Sequence, residues 1–290
     1  MVDDVRASRS RPVVLLTGAS TGIGAALARE LVRHEKVQAI VLTARRDDRL
    51  QQLANELKSA AVGVEVLTIA ADLADPATPE RLVETTLERF GRIDVLVNNA
   101  GLGLPTLFAD SIPDHLARQI AVNLTAPLML TRLSLPSLIE HKGMIINIGS
   151  AITCVASSAL GAYGATKAAL AYWNDALRRE LYHTGVRVCL VEPGPIKTEF
   201  MDAINALVPP GEKPHPILDN TAPWMTADVQ EAARRVVRLM DHPKRRLSLL
   251  KRLVWPFRLL GVIARLCPPL GDRLVVMLQR ETRRPAAGPA

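Results

Sequence analysis

The sequence predicts an α/β fold in which a parallel, doubly wound sheet lies between two layers of helices. Short runs rich in Val, Ile and Leu alternate with longer stretches whose apolar residues recur every three or four positions. These runs are apolar on both faces, as expected of parallel strands that helices cover. The 290 residues are 48% hydrophobic, enough for a sizeable core. A three-layer α/β/α domain follows.

Each element can be assigned in chain order. The predicted strands are 13–17, 39–44, 64–70, 93–98, 143–150 and 186–192, with 245–250 as a candidate last strand. The predicted helices are 26–34, 48–60, 78–90, a long stretch at 112–141, 168–182, and one that begins at 226 with Thr226 as its N-cap. The proline-rich segment at about 194–225 predicts a lid, because regular structure resumes after it. We therefore expect one domain over residues 1–250 and a separate extension over 251–290.

The segment TGASTGIG follows the first predicted strand at residues 17–24. Here Gly18 allows a turn, Gly22 allows the backbone to approach a ligand, and Gly24 allows close packing of the helix. A helix that begins near Gly22 directs its free N–H groups at a pyrophosphate. The sequence therefore predicts a Rossmann-type dinucleotide site, with a plain strand-to-helix turn as the alternative.

The second predicted strand ends in TARRDD, which places Arg45 and Arg46 where an NAD-specific enzyme carries an acid. A guanidinium group suits the 2′-phosphate of NADP(H), to which it can donate paired hydrogen bonds. The alternative is that Arg45 is a solvated surface charge. We expect NADP(H) to be preferred, while NAD(H) stays open.

A candidate catalytic set follows the fifth predicted strand. Tyr163 and Lys167 are four residues apart, so they share one face of a helix. A nearby ammonium group lowers the pKa of a phenol and makes it a usable general acid or base. Ser150, at a strand end, can hydrogen-bond a carbonyl or alcohol oxygen beside Tyr163.

Together these motifs resemble the short-chain dehydrogenase/reductase family over roughly residues 12–240. The matching features are TGASTGIG at 17–24, Asp72, NNAG at 98–101, Asn123, Ser150, Tyr163 with Lys167, and PGPIKT at 193–198. The resemblance implies that Ser150 orients the substrate oxygen, Tyr163 transfers the proton, and Lys167 binds the nicotinamide ribose. It also implies that Asn123 anchors a water in a proton relay.

The resemblance further implies a set of cofactor contacts along the chain. Asp72 would contact adenine, although a helix cap is the alternative for this side chain. Residues 99–101 would lie along the cofactor, and Ile196 and Thr198 would touch the nicotinamide amide. The full predicted cofactor set is Gly18, Ser20, Thr21, Gly22, Ile23, Gly24, Arg45, Arg46, Asp72, Leu73, Asn99, Ala100, Gly101, Tyr163, Lys167, Pro193, Gly194, Ile196 and Thr198.

Composition argues against several other classes of protein. Three cysteines lie far apart without a C-x-x-C pair, which argues for a reducing, cytoplasmic compartment. The six histidines lack ligand spacing, so we predict no metal. The sequence contains no uninterrupted run of 18 apolar residues, so we expect no membrane-spanning helix.

The net charge of +7 is concentrated at the end of the chain. Residues 241–290 carry 11 Lys and Arg against three acids. Within residues 251–284, Lys251, Arg258 and Arg265 recur every seven residues among many apolar side chains. This pattern predicts amphipathic helices at the cytoplasmic face of a membrane, with packing on the domain or on a second subunit as the alternative. Nucleic acid is not expected, because the cations alternate with Leu and Val.

These patterns together predict an NADP(H)-dependent enzyme that moves hydride between nicotinamide and a hydrophobic ketone or secondary alcohol. Apolar residues after Ser150 and in the lid, Phe200 among them, suit such a substrate. The alternatives are a reductase of carrier-bound 3-oxoacyl groups and a non-catalytic, membrane-associated cofactor-binding protein. The resemblance also implies a homodimer or homotetramer formed through helices around 112–141 and 162–183.

Overall fold

The computed structural model describes residues 11–154, 156, 160–196, 198–200, 227–249, 259–263 and 266–279. Seven strands form one sheet, and every neighbouring pair is parallel. The strands β1 to β7 are Val13–Thr17, Ala39–Ala44, Glu65–Ala70, Val95–Asn98, Met144–Ile148, Arg187–Glu192 and Arg246–Ser248. Each predicted strand is therefore confirmed, including the last one.

The described helices follow the predicted alternation. Helices α1 to α8 are Gly22–Arg33, Asp47–Ala60, Thr78–Phe90, Pro113–Ile120, Ala126–Glu140, Gly161–Glu180, Val229–Asp241 and Pro268–Gln279. Between α4 and α5 the chain forms a π-helix, Ala121–Thr125. Two 3₁₀ turns, Phe108–Asp110 and Ala151–Cys154, lie in loops.

The core lies on both faces of the sheet, which is why the central strands β1, β4 and β5 are buried throughout. Leu16 and Ile40 belong to one cluster of buried residues and pack with α1 and α7. Leu15 and Leu96 belong to a second cluster, with residues of α3, α5 and α6. Alternate residues of a strand point to opposite faces, so each helix layer covers one set. The three-layer prediction is confirmed.

The strand order β3-β2-β1-β4-β5-β6-β7 has a switch point between β1 and β4. From β1 the chain winds outward to β2 and β3, and then returns to β4 on the other side. In open sheets of this kind a crevice forms at that point, beyond the carboxyl ends of the strands. The fold therefore predicts the position of a ligand site independently of any motif.

The start of α7 differs from the sequence prediction. The N-cap of α7 is Asp228, whose side chain accepts a hydrogen bond from the Gln230 amide at 3.1 Å. The prediction of Thr226 as the cap is wrong, because the helix begins two residues later; Thr226 itself lies outside the described residues. Most of the predicted lid, 201–225, and residues 251–258 of the extension also lie outside them.

Candidate active site

The glycine turn between β1 and α1 has the shape of a phosphate seat. Gly22 has φ +57°, a conformation that residues with a side chain rarely adopt, and it is the first residue of α1. A Cβ atom at Gly22 would lie 3.4 Å from the Thr198 side chain, so Thr198 covers this turn. A helix N-terminus that faces a narrow crevice suits a pyrophosphate. These residues therefore fit a dinucleotide.

Thr17 joins this turn to the segment after β4. Its Oγ1 accepts hydrogen bonds from the amides of Asn99 and Ala100, both at 3.0 Å. The Asn99 side-chain amide in turn donates to the carbonyl oxygens of Thr17 at 2.8 Å and Gly18 at 3.0 Å. Thr17 was not among the predicted site residues, although it positions two of them.

The adenosine end of the crevice carries an acidic and a basic group. Asp72 accepts a hydrogen bond from the Ala74 amide at 3.0 Å and pairs with Arg118 of α4. These contacts, with the charge of Arg45, lower the pKa of Asp72 although burial opposes the shift. Asp72 does not cap α3, since Asp75 accepts from the amide just before that helix. The alternative reading of Asp72 as a helix cap is therefore wrong.

Arg46 stands at the N-cap of α2 and pairs with Glu199. Its guanidinium group donates to the Glu199 carboxylate at 3.1 Å, and Arg49 lies 3.8 Å from the same carboxylate. All three side chains are close to half exposed. Arg46 and Arg49, which flank the predicted 2′-phosphate position, thus both pair with an acid from the segment after β6.

The predicted catalytic residues converge beyond the end of β5. Ser150 hydrogen-bonds the Tyr163 side chain. The Lys167 ammonium group lies 5.9 Å from the centre of the Tyr163 ring and donates to the Ile148 carbonyl oxygen at 2.8 Å. The Ser150 Oγ also accepts from the Ile152 amide at 3.2 Å, which fixes its orientation. Helix α6 and strand β5 thus bring a hydroxyl, a phenol and an ammonium group together.

Burial moves the pKa values of this set in opposite directions. It raises the pKa of Tyr163 to about 12, against a smaller lowering by the Ser150 hydrogen bond. It lowers the pKa of Lys167 to about 8, since this side chain is 3% exposed. The prediction of a lowered pKa for Tyr163 is wrong in its net direction, because the loss of hydration outweighs the contacts that favour the phenolate.

Asn123 lies in the π-helix and is fully buried. Its side chain accepts from the Leu102 amide at 2.7 Å and donates to the Leu102 carbonyl at 2.8 Å. It also donates to Thr166 Oγ1 at 3.1 Å, which ties it to α6. A Cβ atom at Gly101 would lie 3.7 Å from Asn123 Oδ1 and 3.6 Å from Lys167 Nζ. Asn123 therefore adjoins the catalytic set, and Thr166 is a supporting residue that the motifs did not indicate.

The segment after β6 closes the nicotinamide end. The Pro193 carbonyl accepts from the Ala151 amide at 2.8 Å, which joins this segment to the turn after Ser150. Ile196 is buried and forms a bridge with Ala227. Half-buried Gly194 and Thr198 complete the set. Of the other predicted contacts, Ser20 and Thr21 lie in the glycine turn, while Ile23 and Leu73 pack against the core.

The extension contacts the wall of this site. A Cβ atom at Gly261 would lie 2.1 Å from the Cys154 carbonyl oxygen, so the two backbones touch. Leu259, Val262 and Leu266 nearby are 48%, 49% and 82% exposed. No helix among the described residues combines the length and the apolar character needed to cross a bilayer. Within its described residues, the extension therefore packs on the domain at Gly261 and exposes apolar side chains at Leu259, Val262 and Leu266.

Comparisons with known proteins agree with this geometry. The family model described as short chain dehydrogenase matches residues 12–208. An NADP-dependent 3-hydroxy acid dehydrogenase from Schizosaccharomyces pombe is 37% identical over 64% of this chain and 72% of its own length. Dehydrogenase/reductase SDR family member 7B from Bos taurus is 32% identical over 97% of this chain and 85% of its own. That match reaches into the extension.

The structural comparison gives the same result. A short-chain dehydrogenase from Sphingobium yanoikuyae, solved in complex with NADPH, is similar with a TM-score of 0.71 and 31% identity. The match covers 96% of this chain and 98% of that one. NADP-dependent relatives and an NADPH-bound neighbour support the preference that Arg45 and Arg46 predict.

Proposed function

Since the chain belongs to the short-chain dehydrogenase/reductase family, we propose that it is an NADP(H)-dependent oxidoreductase of hydrophobic ketones or secondary alcohols. The observation that carries the proposal is the meeting of Ser150, Tyr163 and Lys167 beside the crevice at the switch point. A plain dinucleotide-binding protein has no need of a partly buried phenol beside a buried ammonium group at that position.

Each of the three side chains has a distinct task. NADP(H), which the glycine turn at Gly22 and Arg46 would hold, would supply the hydride for reduction and accept it in oxidation. The Tyr163 hydroxyl gives a proton to the carbonyl oxygen as that oxygen becomes an alcohol, and the reverse reaction returns the proton. The Ser150 hydroxyl holds the same oxygen by a hydrogen bond. The Lys167 charge stabilises the phenolate that forms on Tyr163.

An apolar wall beside Tyr163 supports the hydrophobic substrate. Buried Leu160 forms a small cluster with Ile152, Tyr163 and Phe200. The Phe200 ring lies 6.1 Å from the Tyr163 ring, centre to centre, at an angle of 44°. Apolar and aromatic side chains around a few polar groups are typical of sites for small apolar ligands. A carrier-bound 3-oxoacyl group stays the alternative substrate.

The proposal is tested by measuring turnover of a panel of ketones with NADPH and with NADH. The readout is the absorbance of the reduced nicotinamide. We expect reduction of apolar ketones with NADPH by the native protein and loss of turnover in Tyr163→Phe. NADPH binding by Tyr163→Phe, measured by fluorescence, should stay within about twofold of native, because the change removes one hydroxyl. Equal turnover by native protein and variant would refute the role of Tyr163.

We also propose that the extension over 251–290 places the enzyme on the cytoplasmic face of a membrane, as a unit distinct from the domain over 1–250. Exposed Leu259, Val262 and Leu266 support this, together with the cationic charge of that part of the sequence. Flotation with anionic vesicles tests it, and full recovery of the protein in the lipid-free fraction would refute it.

Assembly into a homodimer or homotetramer is proposed through α5 and α6. Met129 on α5 is 43% exposed and Tyr172 on α6 is 82% exposed. Exposed large apolar side chains on adjacent helices support a subunit interface. Light scattering at several protein concentrations tests the proposal, and a monomer mass at every concentration would refute it.

A further inference from the structure

Three consecutive residues after β6 contact three different parts of the active site. Thr198 covers Gly22 in the phosphate seat, with its side chain 3.4 Å from the Cβ position. Phe200 packs beside Tyr163. Between them, Glu199 reaches the guanidinium groups at the start of α2. One short segment therefore spans the crevice from its catalytic end to its adenosine end.

The Glu199 carboxylate engages two cations at once. Its Oε2 accepts from Arg46 Nη2 at 3.1 Å, while its Oε1 lies 3.8 Å from Arg49 Nη1. These partners follow β2, at the end of the crevice where a 2′-phosphate would bind. Arg45 acts in another direction, since its charge lowers the pKa of Asp72. Of the three guanidinium groups that follow β2, Arg45 thus acts on Asp72, while Arg46 and Arg49 pair with Glu199.

A 2′-phosphate and the Glu199 carboxylate would both accept hydrogen bonds from the same guanidinium groups, those of Arg46 and Arg49. The phosphate carries about two negative charges and binds guanidinium groups through paired hydrogen bonds. A carboxylate held on Arg46 must move away or repel the phosphate, and either effect costs affinity for NADP(H). NAD(H) has a hydroxyl at that position and creates no such conflict.

We propose that Glu199 is a specificity-determining residue, which lowers the preference for NADP(H) over NAD(H) by competing with the 2′-phosphate for Arg46 and Arg49. The inference rests on the proposed NADP(H) dependence. It assigns to the segment after β6 an electrostatic role at the adenosine end, in addition to its contacts at the catalytic end.

The experiment is a fluorescence titration of native protein and Glu199→Gln with NADPH and with NADH at low salt. Glutamine keeps the size of the side chain and removes its charge. We expect the Kd for NADPH to fall about two- to fivefold, the range that exposed ion pairs give. The Kd for NADH should stay unchanged. The gain in NADPH affinity should be smaller at high salt, because screening weakens the interactions between exposed charges.

Glu65→Gln is the matched control. Glu65 is 49% exposed and paired with Arg89, much as the 47% exposed Glu199 is paired with Arg46, but it lies on β3. This variant should bind both cofactors as the native protein does. The inference is overturned if Glu199→Gln leaves the Kd for NADPH unchanged, weakens NADPH binding, or tightens NADH binding equally.

Arg46→Ala separates this inference from the proposed function. If Arg46→Ala weakens NADPH binding while Glu199→Gln has no effect, NADP(H) dependence stands and the competition is refuted. If the native protein fails to bind NADPH at all, the proposed function itself fails. In an Arg46→Ala background the gain from Glu199→Gln should be smaller than in the native background, and an undiminished gain would also refute the competition.

Discussion

Titration of Lys167 should control the pH dependence of ketone reduction. Its pKa of about 8 arises from burial, so the ammonium group loses its proton well below the ordinary range for lysine. Tyr163, with a pKa of about 12, keeps its proton through the same range. The alkaline fall in activity is therefore assigned to loss of the lysine charge, which leaves the forming phenolate without a stabilising cation.

The size of the fall follows from that pKa. About nine-tenths of Lys167 is charged at pH 7 and about one-tenth at pH 9, so kcat/KM should decrease about tenfold per pH unit above 8. The assay is NADPH-dependent reduction of one ketone from about pH 6 to about pH 10. NADPH affinity is measured at each pH, so that a loss of binding is not taken for a loss of chemistry.

Lys167→Arg provides the comparison, because a guanidinium group keeps its charge at every pH of the assay. The variant should be slower at pH 7, since a planar group cannot reproduce the contact with Ile148, but its profile should lack the fall between 8 and 10. A native profile that is flat across this range, or a fall that persists unchanged in Lys167→Arg, would refute the reasoning.

Three further outcomes are expected. Gly24→Ala should lower the free energy of unfolding by about 1–3 kcal/mol in a denaturant titration, because the new Cβ would lie 2.2 Å from the Gly18 carbonyl oxygen. Gly161→Ala is the control: its Cβ would meet no atom within 4 Å, so the free energy of unfolding should stay the same or rise. Gly261→Ala should raise the KM for the ketone without changing the Kd for NADPH, because its Cβ would displace the Cys154 carbonyl. Lys167→Met should have a free energy of unfolding up to about 3 kcal/mol above that of the native protein at pH 7, where the native protein buries a charge. The difference should shrink as the pH rises from about 8 to about 10.5, because folded native protein has then released the Lys167 proton.

The sequence was sufficient for those parts of the fold that depend on local patterns. Apolar runs predicted six of the seven strands, the last strand was a candidate at 245–250, and the glycine spacing predicted that α1 starts near Gly22. The 112–141 stretch was predicted only as helical, whereas the structure divides it into α4, a π-helix and α5. The wider π-helical turn places Asn123 between Leu102 and Thr166. Contacts distant in sequence favour that turn, so periodicity could not reveal it.

The sequence predicted which side chains lie together beyond β5 but not the electrostatics around them. Motif positions brought Ser150, Tyr163 and Lys167 together correctly, because strand ends and helix starts fix their places. The contact of Glu199 with Arg46 spans 153 positions of sequence and depends on how a loop crosses the crevice. The pKa of Tyr163 was predicted to fall and instead rises, because a four-residue spacing reports nearness to a cation and not the loss of water.

Burial reverses the usual order of the tyrosine and lysine pKa values in this site. In water a lysine holds its proton slightly more tightly than a tyrosine does. Here the Tyr163 pKa of about 12 lies above the Lys167 pKa of about 8, so the phenol keeps its proton after the amine has lost its own. Reduction needs a phenol that can give a proton, whereas oxidation needs a phenolate that can take one. Near neutral pH the protein holds Tyr163 as the donor, and the forming phenolate still faces a charged Lys167. At neutral pH Tyr163 is therefore in the protonated form that reduction uses, whereas oxidation first needs the phenol to lose its proton.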